Sequence, residues 1–302
     1  MGEMEYDVFI YSITAYVLSV FGILGNILVV ISILNQRYLL KSNYYILVLQ
    51  LAICDLGVLT IYLLEVIVHH SAEEPHFLGS VVYCIFGNIF DIFQVAGVGM
   101  MLIISVLRYR ATVHPLRPAI SRRKLKVFCG LVYIVGFIVG FGTYLSFCFV
   151  ELNFYRFIRL SIGIVIYSLL PTIFMAVVYY KIGRALLKQS RHMKRVCPDA
   201  VRRRHIRDRR TFLVCLGTVL CFGIGSFPIS GWYIFTLAHE YNSIKKYVWM
   251  ESLGVLLRVA GSYLANPVIY GILDRKLLTF WKHCRKKTLR PQEQPVICET
   301  LL

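Results

Sequence analysis

Asp55, Glu65, Asp91, Arg108 and Arg258 stand within or at the end of long apolar stretches of this 302-residue chain. An ionisable side chain at membrane depth is costly unless it is paired or faces water, so each is a functional candidate. None completes a catalytic pattern. The chain carries no Ser/His/Asp set, no His-Glu-x-x-His pair, no glycine-rich phosphate loop and no Cys/His cluster at metal-ligand spacing. Such charges can instead recognise a charged ligand, pair with one another across a bundle, or line a path for a solute. Pro171, Pro228 and Pro267 matter mechanically, because each removes a backbone donor and weakens a helix locally. In lipid such breaks persist where neighbours satisfy the freed carbonyls. They read as hinges, with fixed kinks as the alternative.

Seven apolar stretches carry these residues, at 8–34, 43–69, 81–110, 125–149, 158–187, 206–238 and 246–271. Each can cross a hydrocarbon core of roughly 30 Å, and in lipid an unpaired strand edge is excluded, so the predicted class is an all-α seven-helix bundle. The composition agrees: 58% of residues are hydrophobic and 16% charged, against about a quarter charged in soluble domains. The net charge of +17 does not indicate nucleic acid, because 28 of the 33 Lys and Arg fall on the loops and tail of one side. That bias orients a membrane protein with its basic side in the cytoplasm. Residues 1–7 form a short acidic N-terminal segment expected outside, and the first stretch is expected to act as a signal anchor. The basic segment from Lys181 to Arg210 reads as topogenic charge, attraction to membrane lipids, and a docking surface for a cytosolic partner. Residues 272–302 form a tail in which Leu277, Leu278 and Trp281 give a short eighth helix an apolar face, and Cys284 is a palmitoylation candidate.

The motifs within these stretches form a series. It runs through Gly25-Asn26, Leu51-Ala52-Ile53-Cys54-Asp55, Arg108-Tyr109 with His114-Pro115-Leu116, Pro171 with Tyr179, Phe222 with Pro228, and Asn266-Pro267-Val268-Ile269-Tyr270. In this order it resembles the rhodopsin-like (class A) G-protein-coupled receptors across nearly the whole chain. The resemblance implies an extracellular ligand, with a heterotrimeric G protein and arrestin as cytosolic partners. Activation would proceed by an outward swing of the sixth helix. It implies that Asp55, Asn26, Ser262 and Asn266 share a pocket that can hold sodium, with a water-filled cluster as the alternative. It assigns Arg108, Tyr109, Tyr179, Phe222, Pro228, Pro267 and Tyr270 to activation, and pairs Cys84 with Cys148 in an extracellular disulfide, with two free thiols as the alternative.

Several positions depart from the family pattern. Gly97 stands where a hydroxyl usually helps hold sodium, and Leu107 replaces the acid usually before Arg108. Asp208, twenty residues before Pro228, is the expected ion-pair partner of Arg108, or else one solvated charge in an arginine run. The usual Cys-Trp-x-Pro reads Gly225-Ser226-Phe227-Pro228, with Phe227 as the substitute aromatic, and Tyr133 takes the place of a fourth-helix tryptophan. Counted from Cys84, Asp91 falls at the amine-binding position of amine receptors; counted from Arg108, Phe90 does. Glu65 and Arg258 either contact a charged ligand or satisfy each other. No lysine lies between Tyr247 and Tyr270 to bind retinal, so no cofactor beyond a sodium ion is expected. Tyr179-Tyr180-Lys181-Ile182-Gly183-Arg184 and Pro267-Val268-Ile269-Tyr270-Gly271 resemble peptide receptors more than lipid or odorant ones, and a peptide ligand is expected ahead of an amine. A membrane transporter using the buried charges is the rival class, although no internal repeat is visible. Thr300-Leu301-Leu302 fits a PDZ-binding end.

Overall fold

The structure, a computed structural model, describes residues 3–71, 77–118, 120–148, 168–193, 199–238, 248–273 and 277. Helix α1 is Glu3–Asn35, α2 Asn43–Ser71, α3 Phe77–Val113 and α4 Arg122–Cys148. Helix α5 is Leu170–Met193 and α6 is Asp199–Ala238. Helix α7 comprises Val248–Arg258, a π-helical turn Val259–Leu264 and Ala265–Leu273. There is no strand among the described residues. Six of these helices are long and apolar enough to cross a membrane. The remaining one, α6, runs for 40 residues, but its apolar run is limited to Leu216–Trp232 because a strongly basic segment precedes it.

Helix α3 is the hub, packed on α2, α4 and α5. Helix α4 reaches it through small residues. A β-carbon on Gly136 would lie 2.8 Å from the Ile92 carbonyl oxygen, and one on Gly140 would lie 2.9 Å from that of Asn88. Close backbone approach of this kind drives association in lipid, where no hydrophobic force separates helix from tail. The outward face of α4, including Ile134, Phe137, Ile138 and Phe141, stays exposed, as a lipid-facing helix requires.

The interior has two apolar layers with a polar one between. The inner-half cluster includes Val48, Leu51, Ile104, Tyr179, Phe222 and Tyr270. The outer-half cluster includes Ala15, Val58, Leu59, Tyr62, Val259 and Tyr263. Asn26, Asp55, Ser262 and Asn266 are buried between them.

Candidate functional site

Pro267 organises the middle layer. Lacking an amide hydrogen, it cannot bond the carbonyl of Tyr263 four residues earlier. Asn26 on α1 does so instead, donating its Nδ2 to that oxygen at 3.2 Å and to the Gly22 carbonyl at 2.9 Å. The residue before it makes room: a β-carbon on Gly25 would lie 2.9 Å from Cγ of Pro267. The Gly25-Asn26 pair therefore reads the Pro267 kink, the glycine accepting the ring and the asparagine capping the freed carbonyl. Nδ2 of Asn266 donates to Oδ2 of Asp55 at 2.8 Å and to the Ser262 carbonyl at 2.9 Å, tying α7 to α2.

Asp55, Asn26 and Asn266 are thus in one buried hydrogen-bonded layer. Ser262 contributes its carbonyl, while its hydroxyl is buried with no hydrogen-bond partner. A β-carbon on Gly225 of α6 would come within 3.1 Å of that hydroxyl. Gly97 faces Cys54, with 3.5 Å between an added β-carbon and Cβ of Cys54.

At the inner end, the guanidinium of Arg108 lies 3.9 Å from the centre of the Tyr44 ring, and Leu107 packs against the core. Tyr109 meets His114 edge-on at 5.5 Å. Tyr179, Phe222 and Tyr270 are buried, and Tyr179 contacts Phe212 of α6 at 6.1 Å between ring centres. The side chain of Asp208 lies outside the described residues, although its position falls within α6. Leu116, on the loop between α3 and α4, is 99% exposed.

In the outer half, Asp91 is buried to 8% exposure and Phe90 packs against the outer apolar cluster. Asp91 is within electrostatic reach of Glu65 and of Tyr263, and Tyr263 is in turn within electrostatic reach of Arg258. Gln94, one turn below Asp91, is also buried. Phe227 is a correction: it is 49% exposed, on the outward face of α6 with Leu220, Ile224 and Ile234, and cannot stand in for an inward aromatic. Successive helical residues turn by about 100°, so the adjacent Ser226 takes the buried place, its hydroxyl without a partner. Besides Phe222, Trp232 is a buried aromatic of α6, four residues past Pro228 and stacked on Phe235. Sequence reading missed Trp232, Tyr44 and Gln94. Trp232 was recoverable from its helical spacing with Phe222 and Ile229; Tyr44 carried no such signal. The side chains of Cys84 and Cys148, and the whole of Cys284, lie outside the described residues.

Residues 25–270 match the sequence profile of the 7 transmembrane receptor (rhodopsin family). The human neuromedin-K receptor is 25% identical over 298 residues, covering 93% of this chain and 62% of that receptor. The substance-P receptor of Aquarana catesbeiana is 22% identical over 302 residues, covering 93% of this chain and 71% of that one. The chain therefore spans about three-fifths of the length of the neuromedin-K receptor. In fold, squid rhodopsin superposes with a TM-score of 0.75 at 14% identity, over 93% of this chain and 86% of the other.

Proposed function

The chain belongs to the rhodopsin family of seven-transmembrane receptors, and on that premise we propose that it binds an extracellular peptide and activates a heterotrimeric G protein through movement of α6. The observation that carries the reading is Tyr263. Its side chain is buried in the outer cluster, and its carbonyl, freed by Pro267, is capped by Asn26 in the middle layer. A ligand that presses on the outer cluster therefore acts on the residue whose backbone marks the α7 kink, one buried layer above Tyr270. This is a receptor's wiring: no catalytic set lies along it.

A peptide suits the outer cluster better than an amine does. Glu65 and Asp91 are acidic and Arg258 basic, a mixed set that complements the charges of a peptide's termini and side chains. An amine site needs a carboxylate framed by aromatics, and Phe227 points to lipid. The names of the neuromedin-K and substance-P receptors favour the same reading. A transporter is disfavoured by the family membership. Phe90, packed against the outer apolar cluster, is the aromatic contact of the ligand in this reading. The chain resides in the plasma membrane with its N-terminus outside. Its basic inner face meets anionic lipids, and the same cleft serves arrestin; a PDZ protein at Thr300-Leu301-Leu302, lipidation at Cys284 and the Cys84–Cys148 disulfide complete the reading. Sodium would be held by the Asp55 carboxylate and the partnerless Ser262 hydroxyl, within the frame of Asn26 and Asn266. Arg108 pairs with Asp208 in the resting state.

The test is signalling in cells expressing the chain, challenged with peptide pools and with amine pools. A peptide response lost in Arg108→Ala at equal surface expression supports the proposal. A response to amines alone, or one indifferent to Arg108→Ala, overturns the corresponding half.

A further inference from the structure

We propose that Tyr44 is a positioning residue for Arg108, its ring face holding the guanidinium at the inner end of α3 where the preceding residue, Leu107, offers no charge. The inference rests on the receptor reading above for its functional consequence, and on geometry for the contact itself. The guanidinium carbon sits 3.9 Å from the ring centre, well inside the roughly 6 Å reach of a cation–π interaction. Tyr44 is packed against the inner apolar cluster, and so is Leu107. The contact is therefore partly shielded from water, the condition under which such contacts strengthen.

The seat of the ring is itself fixed. Nδ2 of Asn43, the first residue of α2, donates to the Ile120 carbonyl at 2.6 Å. Arg122 at the start of α4 donates to the Leu40 carbonyl at 3.2 Å, and the Leu39–Lys41 turn closes with Ser42 N bonded to the Leu39 carbonyl at 2.9 Å. Tyr45, buried in the core, braces Tyr44 edge-on at 5.1 Å. Three segments thus hold the start of α2: the turn before it, the loop after α3, and the first residue of α4. A ring so held presents a stationary face. Arg108 must leave that face if it is to meet a protein entering the inner cleft, so Tyr44 sets how often the arginine is available in the resting receptor.

The experiment uses the full chain with Tyr44→Phe, Tyr44→Leu, Arg108→Met and the Tyr44→Leu/Arg108→Met double variant. Each is read twice: by the melting temperature of the purified protein, and by basal nucleotide exchange on a purified heterotrimeric G protein. Tyr44→Phe keeps the ring face, so any change in its melting temperature should be the same with and without Arg108, and its basal exchange should match the wild type. Tyr44→Leu should lower the melting temperature when Arg108 is present but not in the Arg108→Met background. It should also raise basal exchange by roughly two- to thirty-fold. Equal melting losses in both backgrounds would make Tyr44 mere packing and overturn the proposal. So would unchanged basal exchange in a protein whose wild type does drive exchange. If no version drives exchange while the melting cycle shows coupling, the positioning contact stands and the G-protein reading falls. Should Tyr44→Leu fail to fold, fluorinated phenylalanines at position 44 weaken the ring's negative face with little change of shape. A graded rise in basal exchange with fluorine number supports the proposal, and a flat series sinks it.

Discussion

Tyr133 shows how one substitution is absorbed by another. Its hydroxyl donates to Oε1 of Gln50 at 2.9 Å and lies 3.4 Å from Sγ of Cys54, so a phenol does the tethering expected of a fourth-helix indole. Hydrogen bonds between membrane helices average about 0.6 kcal/mol and reach about 1.7. Tyr133→Phe should therefore lower the melting temperature modestly, and a melt identical to wild type would show the tether contributes nothing. Asn26 should matter more, because its loss strands a buried carbonyl at about 1–3 kcal/mol. That cost has a specific signature. In a Pro267→Ala background the restored amide can serve the Tyr263 carbonyl, so Asn26→Ala should destabilise clearly less there than in the wild type. Equal losses in the two backgrounds would separate Asn26 from the kink. Gly97 offers a third residue-scale test. A β-carbon there meets only ordinary contacts, the nearest at 3.5 Å, so Gly97→Ser fits and supplies the missing hydroxyl. If the Asp55 layer can take sodium, exchanging potassium for sodium at constant ionic strength should raise the melting temperature of Gly97→Ser by about 2–4 °C, the shift expected for about 1 kcal/mol. Asp55→Asn in the same background should erase the difference.

Among the elements, α6 and α7 meet backbone to backbone. A β-carbon on Gly261 would lie 2.5 Å from the Cys221 carbonyl oxygen and 3.1 Å from Cα of Gly225, and one on Gly254 would lie 3.1 Å from Cα of Ile229. Where the family usually sets a tryptophan between helices, this chain has a glycine seam beside the buried Ser226. Gly261→Ala must push the helices apart, since a carbonyl cannot rotate away as a side chain can. Overpacking of this kind costs about 1–3 kcal/mol. The substitution should lower thermal stability, and because α6 is displaced from α7 it should raise basal signalling; a stable, silent variant would mean the seam yields elsewhere. This seam also marks the limit of what the sequence discloses. The helices were legible because apolar runs of membrane length leave one choice of structure, and their ends agree with the sequence reading to within about five residues except at α5 and α6. Helix α5 ends at Met193, beyond the expected 187, with 158–167 outside the described residues, and α6 begins at Asp199, ahead of the expected 206. There the arginine-rich run Val201–Arg210 continues the helix without lengthening its apolar segment. The π turn at Val259–Leu264 leaves no periodic trace. Phe227 misled for a reason of geometry, since aromatic character in a motif does not say which way one residue of a helix points.

The molecule as a whole separates its two faces by charge and by exposure. Charges of both signs lie toward the outer half, Asp91 buried and Glu65 and Arg258 half-buried, while the inner side carries the basic loops and, among the described residues, an apolar protrusion at Leu116. Its loop is not slack. Arg117 N bonds the His114 carbonyl at 3.1 Å, His114 N bonds the Arg110 carbonyl at 3.1 Å, and Nη2 of Arg110 donates to the Pro118 carbonyl at 3.2 Å. A leucine held 99% exposed on a braced turn, beside Arg117, is buried against none of the described residues. Single exposed leucines are ordinary on proteins, so exposure alone would decide little. The bracing makes the difference, because a preorganised apolar knob loses little entropy when a partner's pocket closes on it. A minority of interface residues, those that fill well-packed pockets, cost more than about 1 kcal/mol when truncated, and Leu116 is placed here in that minority. Leu116→Ala should therefore reduce ligand-stimulated nucleotide exchange by roughly five- to tenfold, while ligand affinity measured without G protein and the melting temperature stay at wild-type values. Leu116→Asp should reduce exchange further, since a carboxylate cannot enter an apolar pocket unpaired. An equal fall in ligand affinity and stability would place Leu116 in the fold instead, and unaltered exchange would move the docking surface from this loop to the basic segment between α5 and α6.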